Sequence, residues 1–166
     1  YMAYPTVSVP YGFKPVNLLG GQVYAGSTRQ MAITSAHTTA IFFGDVVIMS
    51  ANGCITGCVT TSSAVNVAGI FQGCSYVNSS GQRIYAQFYP GAITGTVDGV
   101  SGITAYVADD PDLVMKVAIQ SAADALPSAS QALRSALVGG NVSIVYQSTL
   151  GVGSTQNGDG TQGVLN

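Results

Sequence analysis

The sequence "AGIFQGCSYVNSSGQRIYAQFYPG" at residues 68–91 decides the fold class of this chain. Two runs rich in Ile, Phe, Tyr and Val stand on either side of the polar segment Asn-Ser-Ser-Gly-Gln at 78–82. Aromatic and β-branched residues favour extended strands, and Gly81 can supply the positive φ that a tight hairpin loop needs. The stretch therefore predicts two antiparallel strands joined by a short loop.

Similar short apolar runs, punctuated by Gly, continue on both sides of this hairpin. The run "TAIFFGDVVIM" at 39–49 precedes Asn52-Gly53, which is the strongest short hairpin signal in the chain. The dipeptide Asp98-Gly99, within "VDGVSG" at 97–102, predicts a further turn. Most of the chain therefore has the pattern of an antiparallel β protein.

One segment departs from this pattern. In "LPSASQALRSAL" at 126–137, Pro127 suits a first helical turn and apolar residues recur at roughly helical spacing, before Gly139-Gly140 end the pattern. We therefore predict a mainly β fold, a compact β-barrel or β-sandwich with one short helix at about 126–138.

The two ends of the chain lack a pattern of regular packing. Residues 1–22 are aromatic, contain several prolines and have no helix signal, which predicts an extended N-terminal arm. Residues 151–166 are rich in Gly, Ser, Thr and Asn, which predicts a flexible or extended C-terminal tail. Residues 23–150 then form a single β-rich domain, because a chain of 166 residues has the size of one domain.

Charged residues make up only 7% of the chain, against about 25% in a typical soluble domain. The net charge is -2 and there are nine Tyr. The cores of protein interfaces are likewise poor in charge and rich in aromatic residues. One interpretation is a monomer kept soluble by uncharged polar side chains. We favour the other, a protein whose surface is largely covered by copies of itself or by a partner.

The few charges also limit the possible partners. No cluster of Lys and Arg is present, so we expect no nucleic-acid partner and no anionic membrane surface. The most apolar window, 41–51, is too short to span a bilayer and contains Asp45. The first residues lack the basic and apolar regions of a signal peptide, so we expect folding in a reducing cytoplasm.

The acidic residues concentrate in "AYVADDPDLVMKVAIQ" at 105–120. On a strand, Asp109 and Asp110 would point to opposite faces, and Pro111 interrupts a ladder. Because Asp side chains favour turns by accepting hydrogen bonds from nearby N–H groups, the segment predicts a turn or bulge between two strands. A Ca²⁺ site and a pair of catalytic carboxylates remain as weaker alternatives.

Other candidates for chemistry are isolated in the sequence. Cys54, Cys58 and Cys74 are predicted to be buried thiols, with a zinc site or a single disulfide as alternatives. His37 is the one histidine and so the only candidate for a neutral-pH base. "GDGTQG" at 158–163 matches a dinucleotide-binding pattern but has no strand before it and no helix after it. We predict no catalytic residue, no metal site and no cofactor.

Four segments carry a family resemblance: "PYGFKPVNLLGG" (10–21), "TAIFFGDVV" (39–47), the hairpin at 68–91 and the acidic segment at 105–120. In this order they resemble small structural proteins of tailed bacteriophages, especially phages of cyanobacteria and other marine bacteria. The resemblance is to proteins of the capsid decoration, or cement, kind. It covers most of 10–120 and not the C-terminal third.

The resemblance implies a non-enzymatic, β-rich trimer on the outer surface of the virion capsid. There it would bridge neighbouring copies of the major capsid protein at local threefold positions. Our hypothesis is that Tyr4, Tyr11 and Phe13 are apolar anchors on the capsid, the alternative being that these aromatic residues cover the protein's own core. Rival functions are a head fibre, spike, tail or baseplate component of a virion, and a small-ligand-binding β-barrel or hydrolase that uses His37.

Overall fold

The computed structural model describes residues 11–34, 37–58, 66–78, 80–91, 102–120, 138–145, 153, 158–160 and 162–165. Eleven strands lie in these residues, and the described residues contain no helix. The strands are β1 Lys14–Leu18, β2 Arg29–Ala32, β3 Val46–Met49, β4 Ile55–Gly57, β5 Val67–Val77, β6 Arg83–Ala86, β7 Thr104–Ala108, β8 Leu113–Lys116, β9 Ile119–Gln120, β10 Ser143–Val145 and β11 Gly163–Leu165. The predicted helix lies outside the described residues, apart from Val138 in a turn, and so does the turn at Asp98-Gly99.

The largest sheet has six strands and is organised around β5. β7 lies along one edge of β5, while β3 and β6 share the other edge and pair with its beginning and its end. The predicted hairpin at 68–91 is confirmed as β5 and β6, with Gly81 at a φ of 78° in the loop. The turn at Asn52-Gly53 is also confirmed, because it joins β3 to β4 and Gly53 has a φ of 77°.

Two irregularities in β5 determine which side chains enter the core. Gly69 pairs with Val47 and Val67 with Ile48, so Ala68 is an extra residue on β5. In the same way, Gln72 is extra between the residues that pair with β7. A bulge shifts the alternation of faces by one residue. Phe71 and Cys74, three positions apart, therefore pack in the same core cluster.

The core has two parts, one on each face of this sheet. The larger cluster includes Phe71 and Tyr89, both 0% exposed, and the smaller one contains Phe13, Val46, Cys58 and Ile70. Successive residues Ile70 and Phe71 enter different clusters, as expected for neighbours on a strand. The smaller cluster is covered by Met115 of β8 and Ile144 of β10, so strands from all three sheets enclose the core.

The prediction of a mainly β fold is confirmed, and the arrangement is sandwich-like. An isolated parallel bridge between Ile33, which follows β2, and Ile55 of β4 brings the two edges of the large sheet together. A closed barrel needs a continuous ladder at that position. A single bridge does not provide one, so the barrel alternative is not formed.

The described part of the C-terminal stretch packs into the fold. β11 lies between β10, to which it is antiparallel, and β9, to which it is parallel. Gly158 and Gly160 exchange backbone hydrogen bonds of 2.8 Å with Phe43. The composition predicted a flexible or extended tail, and the described residues of this stretch are extended and paired with distant parts of the chain.

Candidate interaction surface

The acidic segment forms the predicted turn. The Asp110 carboxylate accepts a hydrogen bond of 2.9 Å from the backbone N–H of Asp112, which is the local capping typical of Asp in turns. Asp109 instead forms an ion pair of 2.8 Å with Arg29 of β2. In the part of the chain that the structure describes, no group of three or more His, Cys, Asp or Glu side chains is placed to hold a metal ion. The carboxylate of Asp110 therefore stabilises the chain reversal, and that of Asp109 connects the turn to β2.

This turn connects the large sheet to a two-stranded ribbon, β1 paired with β8. The backbone carbonyl of Asp112 accepts a hydrogen bond of 2.8 Å from Leu19, just beyond β1. One side of the ribbon faces inward, where Met115 packs on the smaller core cluster. The other side faces away from the core.

The outward side of the ribbon carries exposed apolar side chains. Asn17 pairs with Val114 of β8 and forms a bridge with Val23, so these three residues form one row across the ribbon. Val23 is 79% exposed, and Leu19, two positions after Asn17, is 64% exposed. Val16 and Val114 are also exposed. We name Val16, Leu19, Val23 and Val114 the ribbon patch.

The other end of the ribbon holds two of the chain's five cationic residues. Lys14 and Lys116 are direct partners across β1 and β8, an arrangement in which like charges repel. The Tyr11 ring lies 5.4 Å from the Lys14 ammonium and 5.8 Å from that of Lys116, and Asp159 lies 3.5 Å from Lys14. The aromatic ring and the carboxylate offset the repulsion.

The three aromatic residues proposed as anchors have different surroundings. Phe13 is 9% exposed and packs with Val46 and Ile70, so the alternative that it covers the protein's own core applies to this residue. Its side chain is therefore not available as an anchor. Tyr11 is half-buried beside the two lysines, and Tyr4 lies outside the described residues.

Sequence reasoning missed the ribbon patch. Its only local signal is the pair of leucines before Gly20-Gly21, where one leucine must face away from the core if the other faces toward it. Leu18 is half-buried and Leu19 is exposed, as this alternation requires. The sequence does not reveal which strand pairs with β1, and without that partner the exposed side of the ribbon could not be assigned.

Gln162 fastens the C-terminal segment to the large sheet. Its side-chain oxygen accepts a hydrogen bond of 2.8 Å from the Val46 N–H, and its side-chain nitrogen donates one of 3.0 Å to the Cys58 carbonyl. The residue is 2% exposed. The oxygen and the nitrogen of this buried amide are both hydrogen-bonded, so the side chain extends the hydrogen bonding between β3 and β4.

Asp45 is the buried carboxyl beside this segment. It is 4% exposed, and one carboxyl oxygen accepts a hydrogen bond of 2.9 Å from the Phe42 N–H. The other oxygen has no hydrogen-bond partner in the described part of the chain, and a Cβ on Gly160 would collide with it. Burial raises the pKa of Asp45 to about 7, against the smaller opposing effect of the Phe42 hydrogen bond. Its charged form is therefore disfavoured in the folded protein.

His37 is half-buried against Tyr89, with the two ring centroids 6.0 Å apart. The Tyr89 hydroxyl donates a hydrogen bond of 2.9 Å to the His37 carbonyl, which ties the backbone of this segment to the core. The His37 Nε2 atom is buried without a hydrogen-bond partner, and burial lowers the pKa of the imidazole. Among the residues that the structure describes, no nucleophile is therefore hydrogen-bonded to Nε2.

The three cysteines are buried thiols, as predicted. The Cys74 Sγ–H donates to the Phe88 carbonyl at 3.6 Å, and burial raises the pKa of this thiol to about 12. A thiol with a raised pKa is a poor nucleophile. Cys54 and Cys58, at the two ends of β4, and Cys74, within β5, fill space in the core.

Comparison of the chain with protein-family models, with curated proteins and with solved structures found no match. No helix long and apolar enough to cross a membrane occurs among the described residues.

Proposed function

We propose that this chain is a non-enzymatic structural protein of a bacteriophage virion. It binds the outer surface of the capsid as a homotrimer and cements neighbouring copies of the major capsid protein. The protein is made in the cytoplasm of the bacterial host. The proposal combines the sequence resemblance to capsid decoration proteins with the surface chemistry of the fold.

The ribbon patch is the observation that carries the proposal. Four exposed apolar side chains lie on or directly beside a two-stranded ribbon, and a concentration of exposed apolar surface on a folded protein marks a site of association. Burying one Val or Leu side chain contributes about 1.5–3 kcal/mol. A patch repeated in each subunit of a trimer can therefore supply substantial binding free energy.

The charged groups support the same function. Arg29 is paired with Asp109 and Lys14 with Asp159, so charges that the fold does carry are partly neutralised within the subunit. Such a surface can be covered by other subunits with a small desolvation cost, because few unpaired ions must leave water. It gives little of the mutual repulsion that keeps ordinary monomers apart.

The surroundings of the acidic segment and of His37, the candidate catalytic groups, do not support an enzyme reaction. The acidic segment is a turn, one of whose carboxylates is paired with an arginine. The buried face of His37 lies against Tyr89. A hydrolase needs a nucleophile within hydrogen-bond reach of its base, and none of the described residues is hydrogen-bonded to the buried Nε2 atom.

The proposal is tested with a charge placed in the ribbon patch. Val23→Asp introduces a carboxylate at a residue that is 79% exposed, so the isolated subunit should fold normally. Val138→Asp is the matched control, because Val138 is 84% exposed in a turn outside the patch. Co-sedimentation with empty capsids should show binding at least tenfold weaker for V23D, which corresponds to about 1.4 kcal/mol or more. V138D should bind as the wild type does.

Measurement of the mass in solution shows whether the patch contacts the capsid or another subunit of the trimer. If V23D remains a trimer and loses capsid binding, the patch faces the capsid, whereas loss of the trimer places it between subunits. Equal capsid binding by wild type and V23D, with both trimeric, would reject the role of the patch. A head fibre, spike or tail component shares this surface chemistry, and localisation on the virion by electron microscopy distinguishes it from a cement protein.

A further inference from the structure

An open groove lies on the large sheet and is lined by residues of β5, β6 and β7. Its volume is about 510 Å³, within the range of roughly 300–1,000 Å³ that is usual for small-ligand sites. Tyr85 of β6 and Tyr106 of β7 line it from the two strands that flank β5. Tyr85 is 70% exposed, so a large aromatic surface is open to solvent beside the groove.

The groove exists because β5 is irregular at this point. Gly73 pairs with Tyr106 and contributes no side chain between the two tyrosines. A Cβ at this position would lie 3.0 Å from the Ala86 carbonyl, and the φ of 134° further disfavours other residues. Gln72, the residue before Gly73, is the bulge residue and so departs from the regular alternation of side chains between the two faces of β5. Bulges commonly direct a side chain toward a binding site.

Two side-chain amides complete the lining of the groove. Gln87 is exposed, and the Gln72 side-chain nitrogen is buried without a hydrogen-bond partner. A buried donor without an acceptor is unfavourable, and a rotation of the Gln72 side chain toward the groove would allow a ligand oxygen to satisfy it. An amide both donates and accepts hydrogen bonds, which matches a hydroxyl group.

We propose that this groove binds an uncharged oligosaccharide. None of the described residues that line it carries a charge, so an ionic ligand would lose its hydration without gaining a counter-charge from them. The C–H faces of a sugar ring are apolar and match the faces of Tyr85 and Tyr106, while its hydroxyl groups match the amides of Gln72 and Gln87. An open groove suits one stretch of a chain of sugars. This proposal is independent of the capsid role.

The test is a titration followed by NMR, with maltohexaose, cellohexaose and the hexamer of N-acetylglucosamine as probes. We expect saturable shifts of the Gln72 and Gln87 side-chain amides with at least one probe at up to about 20 mM, since small ligands at single open sites bind weakly. Tyr85→Ala should weaken that binding at least tenfold. Tyr24→Ala, at a tyrosine outside the groove, should leave it unchanged.

Three results would overturn the proposal. They are the absence of saturable shifts with all three probes, equal binding by wild type and Y85A, and equal or tighter binding of an oligogalacturonate. The last result would show that the groove recognises charge. Because Tyr85 is an exposed residue on β6, Y85A should stay folded, which its backbone amide spectrum will verify.

Discussion

Gln162 donates a hydrogen bond from its side-chain nitrogen to the carbonyl of Cys58 at 3.0 Å, although the two residues are 104 positions apart in the chain. The same amide accepts from the N–H of Val46. This side chain thus joins the start of β11 to the paired strands β3 and β4. The C-terminal segment is part of the folded unit.

Replacing Gln162 should therefore destabilise the whole domain. Gln162→Ala removes the acceptor of the buried Val46 N–H and one donor to the Cys58 carbonyl, and a buried donor left unsatisfied costs about 1–3 kcal/mol. We expect a loss of about 1–3 kcal/mol in urea unfolding. Gln30→Ala, at an exposed residue of β2, is the control and should change stability by less than about 0.5 kcal/mol. Equal stability of the two variants would show that the hydrogen bonds of the Gln162 side chain contribute little to the stability of the domain.

Asp45 should make stability depend on pH in the direction opposite to most carboxyl groups. Its folded pKa of about 7 lies above the ordinary value of 3.8, so burial favours the protonated form. The corresponding stability is fully present below about pH 4 and is lost as pH rises through about 7. Asp45→Asn cannot ionise, and its stability relative to wild type should therefore increase between pH 4 and pH 8.

The comparison with a second variant isolates this effect from other titrations. Asp112→Asn makes the same change of side chain at an exposed carboxyl group and is the control for the substitution itself. Unfolding free energies of the three proteins at several pH values provide the measurement. A pH-independent difference between D45N and wild type would contradict a raised pKa for Asp45.

Phe13 and Tyr11 should respond differently to truncation. Phe13→Ala removes a buried ring from the smaller core cluster, for which we expect a loss of about 3–5 kcal/mol in unfolding free energy. Tyr11→Ala removes a half-buried ring from the two lysines and should cost about 0.5–2 kcal/mol. Similar losses for the two variants would contradict this assignment of core and surface. To test the N-terminal arm for capsid binding, a deletion should end at residue 10, so that Phe13 is retained.

The acidic turn allows a comparison between neighbouring residues of the same type. Asp110→Ala removes the acceptor for the Asp112 N–H and should destabilise the domain by about 1 kcal/mol, as loss of a comparable helix cap does. Asp112→Ala changes an exposed side chain and should have an effect within about 0.5 kcal/mol. Thermal unfolding of both variants, with and without added Ca²⁺, provides the readout. A rise in melting temperature with Ca²⁺ in the wild type alone would restore the calcium hypothesis.

Local sequence signals predicted the parts of the fold that depend on neighbouring residues. The hairpin at 68–91 and the turn at Asn52-Gly53 are set by residue types within a few positions, and the carboxylate of Asp110 caps its own turn. The burial of the cysteines was predicted from their small size and from the absence of a convincing metal-binding pattern.

The remaining features depend on partners that are distant in sequence. Nothing near Gln162 indicates a contact with Val46, because its surroundings resemble a polar tail. Phe13 is buried because it packs on Val46 and Ile70, residues far away in the sequence, whereas Leu19 and Val23 are exposed although their hydrophobic character is similar. Aromatic type suggested the anchors, whereas the exposed aliphatic residues form the apolar surface.

The most direct test of the account is sedimentation of the purified chain, alone and with empty capsids. A chain of 16.9 kDa should sediment alone with three times that mass, and it should bind capsids saturably in a fixed ratio to the major capsid protein. A protein that stays a single subunit at every concentration and remains in the supernatant when capsids are pelleted would contradict the account.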